Sequence, residues 1–350
     1  MSTGWSLPDW ARAAGAPECR GRIRAFPEDF EVQEIPLITP SNEGNHLWLE
    51  IEKRGANTDW VARQLASLAG VAGREVGYAG MKDRHGVTRQ WFSIGLQEAG
   101  DVDWKGWQMA DARIITACRH HRKLKRGALR GNRFRLVIRD LEGNTNGLAG
   151  RLETVKEAGV PNYFGPQRFG HGGFNVVRGS QWLKRGGRLP RNKKSIYLSS
   201  VRSFLFNELL SRRVEDRSWN RLIDGDIACL DGSHSTFPCR MPDPELDRRC
   251  AEFDIHPGGL LAGRNGVGAE RDAAAVEQAA LADHHALLQG LEKAGMRAAR
   301  RSLRLVPRVM SWNLSGAELQ LGFELPPGGY ATSVLRELVT TDPDSISETT

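Results

Sequence analysis

Five stretches of the chain place side chains of one character at every second position. Phe30 and Val32 alternate with Glu31 and Gln33, and Leu47, Leu49 and Ile51 alternate with Trp48 and Glu50. Gln90, Phe92, Ile94 and Leu96 alternate with Trp91 and Ser93, and Leu319, Leu321, Phe323 and Leu325 share one phase near the end. In the remaining stretch Phe134, Leu136 and Ile138 interleave with Arg133, Arg135 and Arg139, which puts an apolar face beneath a cationic one. A period of two gathers each set on one side of a strand, so all five predict β-strands.

Between these stretches the period lengthens. Val61, Leu65 and Leu68 fall at helical spacing, with Asn57 or Thr58 as the cap and Gly70 as the stop. Leu148, Leu152 and Val155 predict a helix ending at Gly159, Val201, Leu205 and Leu209 share one helical face, and the Ala-rich segment 269–296 reads as one long helix. Strand periodicity thus occupies both ends of the chain and helices dominate the middle. The architecture this implies is α+β: a mainly antiparallel sheet backed by helices, built from both ends and interrupted by a helix-rich insertion, with the cleft between them as the expected ligand site.

Charge narrows the ligand class. The 350 residues include 49 Lys and Arg against 42 Asp and Glu, a net +7 that matters only if it is clustered. It is clustered. Residues 119–139 hold nine bases and no acid, residues 160–207 another nine with no acid, and residues 293–317 a further six. Gly127, Gly131 and Phe134, and then Tyr163, Phe164, Gly165, Phe169 and Gly170, are interleaved with these runs. Glycines let backbone approach phosphates and rings stack on unpaired bases, a combination that suits structured RNA better than regular duplex DNA. His120 and His121, inside the first run, read as phosphate-facing or solvated.

Other classes are disfavoured. No stretch approaches a membrane span, and the first residues lack the layout of a signal peptide, so a cytoplasmic location is expected. Five scattered cysteines without a CxxC pair predict reduced thiols. Signatures of P-loop, nucleophile-elbow, HExxH and dinucleotide-binding enzymes are missing, and Cys229, His234, Cys239, Cys250 and His256 are spaced too irregularly for a structural zinc site.

What remains is the loop AGMKDRHGVTRQ, in which Gly80 and Gly86 flank Asp83 among Lys82, Arg84 and Arg89. Neighbouring cations keep a carboxylate ionised. An ionised Asp can act as nucleophile or base at an anomeric carbon without metal or cofactor. The same composition suits a turn Asp that hydrogen-bonds its own loop, and spacing alone leaves both readings open.

FPEDFEVQE, AGMKDRHGVTRQ, KRGALRGNRF, GVPNYFGPQRFG and PPGGYATSVLREL, in this order, resemble the tRNA pseudouridine synthase D (TruD) family from about Arg22 to about Leu338. The resemblance implies an α+β pseudouridine synthase domain with a mixed, mainly antiparallel sheet, formed by residues 1–157 and 304–345. An α/β insertion domain peculiar to the family would occupy 158–303, and residues 346–350 would form a disordered tail. The implied reaction is isomerisation of uridine to pseudouridine in tRNA, typically at position 13, with no cofactor or metal and with Asp83 at the family's nucleophile.

Phe30, Asn132 and Tyr330 then fall on residues that hold the flipped uridine, and Phe134 on the aromatic position beside the reacting base. Arg24 stands where relatives carry Lys as the basic partner of the aspartate, and Tyr330 where Phe is familiar. Arg122, Lys123, Lys125, Arg126 and Arg168 are expected along the RNA backbone. The implied partner is tRNA, with no membrane, no obligatory protein partner and a monomeric chain. The same chemistry on another RNA, or a non-catalytic RNA-binding factor, are the alternatives.

Overall fold

The computed structural model describes residues 5–82, 84–96 and 102–341. Asp83 and the tail 346–350 lie outside the described residues. In chain order the first elements are β1 (Cys19–Ile23), β2 (Phe30–Pro36), β3 (His46–Arg54), α1 (Thr58–Leu68), β4 (Val76–Tyr78), β5 (Val87–Gly95), β6 (Ala112–His120) and β7 (Leu129–Gly143). There follow α2 (Asn146–Ala158), β8 (Val160–Pro161), α3 (Phe174–Arg185), α4 (Arg191–Glu215), β9 (Ile227–Leu230), β10 (Thr236–Pro238), α5 (Pro244–Ala251), β11 (Ile255–Leu261), α6 (Arg271–Ala280) and α7 (His285–Lys293). The chain closes with β12 (Ala299–Ser302), β13 (Arg304–Leu305), β14 (Arg308–Ser315), β15 (Glu318–Leu325) and α8 (Ala331–Leu338).

These elements form two compact units. Arg20–Gly143 and Arg308–Gly328 make a sheet unit; Met1–Cys19, Asn144–Pro307 and Gly329–Thr340 make a helical unit. The divisions thus fall near 19, 143, 307 and 328, whereas the sequence placed its junctions at 157 and 303. The difference lies mainly in α2 and α8, which are in contact with each other within the helical unit.

The sheet unit holds a nine-stranded sheet in the order β14-β15-β7-β2-β5-β3-β6, with β1 added on β7 and β4 on β5. β2 runs parallel to β5, whereas β7 pairs antiparallel with both β2 and β15. All five predicted strands are present, and the late strand β15 rejoins the early one, β7, from Asn132–Leu325 to Ile138–Leu319. Against this sheet α1 lays Val61, Leu65 and Ala66 on Leu49, Ile51, Phe92 and Ile94. Burying Val61 and Leu65 contributes about 1.5–3 kcal/mol each.

Register shows what each face carries. Phe30, Val32 and Glu34 of β2 share a side with Asn132, Phe134 and Leu136 of β7 and with Leu321, Phe323 and Leu325 of β15. The opposite side is the cationic face predicted for β7, and its arginines are neutralised. Arg133 pairs with Glu324 at 2.7 Å, Arg135 faces Glu31 at 3.9 Å, and Arg139 binds Asp29 at 2.8 Å and Glu318 at 2.7 Å. The acid-free run 119–139 is therefore less of a polyanion site than its composition implied, because its counter-charges arrive from distant strands. His120 is a second departure: it is buried, its ring lies 4.6 Å from Trp48, and burial pulls its pKa below the usual histidine range. Only His121 is exposed, beside Glu43 at 3.2 Å.

In the helical unit α3, α4 and the loop before them enclose a core that includes Phe164, Phe169, Val201, Leu205, Leu281 and Leu291. The predicted helix over 269–296 is broken. α6 ends at Ala280, a short 3-10 turn spans Ala282–His284, and α7 follows, so that buried Leu281 and Leu291 both reach this core. Both α6 and α7 contact α4. Strands β10-β9-β11-β12 form a sheet that periodicity did not show, because Pro257, Gly258 and Gly259 interrupt the pattern of β11. Among the described residues no helix is long and apolar enough to cross a membrane.

Candidate active site

The motif FPEDFEVQE builds the entry to β2. Pro27–Asp29 form a 3-10 turn in which buried Asp29 accepts the Phe26 N–H at 2.9 Å and is gripped by the Arg139 guanidinium. That clamp sets where β2 begins and therefore where Phe30 sits. At Arg24 the backbone takes φ 56°, uncommon for a residue with a side chain, and the guanidinium comes to lie 4.1 Å over the Phe30 ring. A planar guanidinium stacks on a ring in a way that the point charge of Lys does not, which gives the Arg24 departure from the family pattern a structural sense.

Phe30 meets Phe134 edge-on with ring centres 6.3 Å apart, and Phe134 stacks on Phe323 at 5.3 Å. Two positions before Phe134 on the same side of β7, Asn132 has a buried Oδ1 with no hydrogen-bond partner among the described residues. A lone buried acceptor costs about 1–3 kcal/mol, so it marks a place where a donor is wanted. Gly131, next to it, lets the chain pass the Leu325 carbonyl, since a Cβ there would come within 2.4 Å of that oxygen.

The chain on either side of position 83 is braced by a buried polar network. Thr58 Oγ1 accepts the Lys82 N–H at 3.0 Å and donates to Gln90 Oε1 at 2.9 Å, while Gln90 Nε2 donates to the Gly80 carbonyl at 3.2 Å. The Lys82 ammonium reaches Glu34 Oε2 at 2.8 Å, in surroundings that leave the two side chains 6% and 1% exposed. On the far side Gly86 passes the Phe30 carbonyl so closely that a Cβ would come within 2.4 Å of it. The two ends of the loop are thus fixed to the strand that carries Phe30.

Of the cations near position 83 in the sequence, Lys82 holds Glu34, and Arg89 holds Glu52 at 2.7 Å on the other face of the sheet. Sequence reasoning also missed Glu34 and Gln90. Their signal was available, since each is a polar residue in the apolar phase of its strand.

Tyr330 and Arg168 belong to the helical unit and meet there. Arg168 Nη2 donates to the Tyr330 hydroxyl at 3.2 Å, a contact that Phe could not make. Phe164 stands beside Tyr330 at 6.0 Å, and the Arg301 guanidinium lies 4.2 Å over the Phe164 ring and donates to Asn162 Oδ1 at 2.6 Å. Burial pushes the Arg301 pKa down to about 10, with Tyr330 opposing and Arg168 adding to the shift. Arg168 Nε and Thr332 Oγ1 are buried without a hydrogen-bond partner among the described residues. Phe164 and Arg168 of the motif GVPNYFGPQRFG thus combine with Arg301, Tyr330 and Thr332 in a cationic, aromatic corner with donors to spare.

The other backbone candidates lie in the sheet unit. Arg122, Lys125 and Arg126 are exposed and Lys123 half-buried, its ammonium donating to the Arg74 carbonyl. Arg126 donates to the Tyr78 hydroxyl at 2.6 Å and covers that ring at 4.2 Å. A depression of about 520 Å³ opens on the sheet face of Arg133, Arg135 and Glu324, opposite the Asn132 side chain. Among the described residues no group of three or more His, Cys, Asp or Glu side chains could hold a metal ion.

Residues 11–184 and 176–338 match the family described as tRNA pseudouridine synthase D (TruD). The chain belongs to this family. A curated TruD protein from Methylococcus capsulatus is 47% identical over 343 residues, 97% of each chain. Another from Nitrosococcus oceani is 46% identical over 330 residues, covering 93% of this chain and 92% of its own. A TruD crystal structure from Methanosarcina mazei, 21% identical, superposes with a TM-score of 0.76 over 97% of this chain and 98% of its own, which shows a shared fold.

Proposed function

We propose that this TruD chain isomerises uridine to pseudouridine in tRNA, at position 13, with Asp83 as nucleophile and without a cofactor. Family membership over residues 11–338 supports the reaction, and the buried, partnerless Asn132 Oδ1 is the observation that supports the site. The uracil edge carries an N–H that such an acceptor can take, and Asn offers a donor beside it. Phe30 and Phe134 of the sheet unit supply rings for a base that has left its stack, at a cost of a few kcal/mol that stacking and phosphate contacts offset, and the role of Tyr330 rests on the family pattern alone.

In this reaction the N1–C1′ bond breaks, the uracil turns, and C5 bonds to C1′, after which the C5 hydrogen leaves as a proton and N1 takes one up. Asp83 either adds to C1′ and is displaced when C5 bonds there, or takes a C2′ proton to give a glycal and returns it as C5 bonds to C1′. Arg24 partners the carboxylate from beside Phe30, and Arg122, Lys123, Lys125, Arg126 and Arg168 face the RNA backbone. The protein acts as a cytoplasmic monomer that needs no protein partner.

Wild-type protein is expected to release tritium from tRNA labelled at uridine C5 and to yield pseudouridine at position 13. Release from a different RNA alone would move the substrate, and no release from any RNA would leave a binding factor.

Asn132→Leu separates stability from function. The change removes an unsatisfied buried acceptor, so thermal stability is expected to hold or rise. Two lost hydrogen bonds of about 1–1.5 kcal/mol each predict kcat/KM lower by about 30- to 150-fold. Full activity in this variant would place the uracil edge elsewhere.

A further inference from the structure

The acid-free run 160–207 concentrates its charge on one structural element, the hairpin of α3 and α4. Gly179 brings the helices together: a Cβ there would fall 2.6 Å from Val201 and 2.8 Å from the Tyr197 carbonyl. Beyond that contact, residues 184–194 form the hairpin tip, and local bonds fix its shape. Trp182 Nε1 donates to the Gly187 carbonyl at 3.0 Å, the Gly186 N–H returns to the Trp182 carbonyl at 2.8 Å, and Gly186 and Gly187 take φ of 69° and 111°. The Lys194 ammonium lies 4.7 Å from the Trp182 ring.

On this fixed tip Lys184, Arg185, Arg188, Arg191 and Lys193 are all exposed, and none has an ion-pair partner among the described residues. The contrast with β7 is sharp, since Arg133, Arg135 and Arg139 each face a carboxylate. Arg191, Lys193 and Lys194 also occupy the first turn of α4, where the helix dipole favours acids, and Pro190 makes no side-chain cap there. Cations so placed repel the dipole and one another. A bound polyanion relieves both repulsions.

The tip is also connected to the Tyr330 corner. Ser200 of α4 donates to the Arg168 carbonyl at 2.7 Å, and nine residues of helix separate Ser200 from Arg191, about 14 Å at 1.5 Å per residue. An RNA strand whose nucleotide reaches Tyr330 can therefore pass the tip a few nucleotides away. We propose that the α3–α4 tip is a phosphate clamp for structured RNA, gripping backbone remote from the reacting nucleotide. This inference rests on the chain being an RNA-modifying enzyme.

Its test is the salt dependence of tRNA binding by the full chain carrying Arg185→Gln, Arg188→Gln, Arg191→Gln and Lys193→Gln together. Each phosphate contact contributes about 0.7–0.9 to the slope of log affinity against log salt, so loss of all four is expected to make the slope shallower by about 3–3.5 between about 50 and 200 mM salt. Affinity at the lower salt should fall at least about tenfold. Arg20→Gln with Arg22→Gln is the control, because these side chains already pair with Glu142 and Asp140 at 3.2 and 3.0 Å. A wild-type slope in the four-residue variant, or an equal loss in the control, overturns the clamp, as does a wild type that does not bind tRNA. A wild type that binds with a steep slope but forms no pseudouridine refutes the proposed reaction, while the slope comparison still decides the clamp.

Discussion

Asp83→Asn is expected to lower tritium release from C5-labelled tRNA by about 10⁴-fold or more, because an amide is neither a nucleophile at C1′ nor a base for the C2′ proton. Asn keeps the size of the side chain, and the flanks of position 83 are anchored by other groups. Lys82 is held through Thr58 and Glu34, and Gly86 passes close to Phe30. The loop should therefore keep its course. Affinity for tRNA should hold or tighten slightly, since the substitution removes a negative charge from a protein that binds phosphates. The two measurements belong together: lost release with lost binding would mean a damaged fold, and persisting release would remove Asp83 from the reaction.

Lys82→Met is expected to cost about 3–5 kcal/mol of stability, the usual consequence of leaving one member of a buried ion pair without its partner. Among the described residues Glu34 would then keep the Trp91 N–H, at 3.4 Å, as its hydrogen-bond donor. Pairing the change with Glu34→Leu should recover most of the loss, because two apolar side chains of similar volume have no charge to bury. Urea titration of the single and double variants reads this directly. If the single variant unfolds at the wild-type midpoint, Lys82 and Glu34 do not hold the loop. If the double variant is stable yet slow in tritium release, the pair serves to place residue 83 rather than to keep the sheet folded.

The fold was legible where periodicity was strict. The alternation at Phe134, Leu136 and Ile138, and at Leu319, Leu321, Phe323 and Leu325, identified β7 and β15, and their register makes them neighbours. Segments with a weaker pattern were lost: Pro257, Gly258 and Gly259 hid β11, and the even Ala-rich composition of 269–296 concealed the break after Ala280. Charge was legible only as composition. A count along the chain cannot see that Glu31, Glu318 and Glu324 arrive beside the arginines of β7, nor that those of the α3–α4 tip meet no acid among the described residues.

For the site, family motifs marked Phe30, Asn132 and Phe134, and the structure puts these three on one side of adjacent strands. The brace beneath the loop was not read. Glu34 and Gln90 occupy apolar-phase positions, where a polar side chain needs partners from other strands that sequence does not reveal.

The pairing of β7 with β15 has a consequence for how the protein is made. Residues 132–138 must wait for residues 319–325 before that edge is closed. During synthesis nearly the whole helical unit emerges first, leaving the β7 edge with unpaired N–H and C=O groups for all that time. Contacts of such long sequence separation form slowly. A nascent or truncated chain ending before β15 is thus a template for intermolecular strand addition, and its solubility should depend on how quickly the returning segment Arg308–Gly328 is supplied.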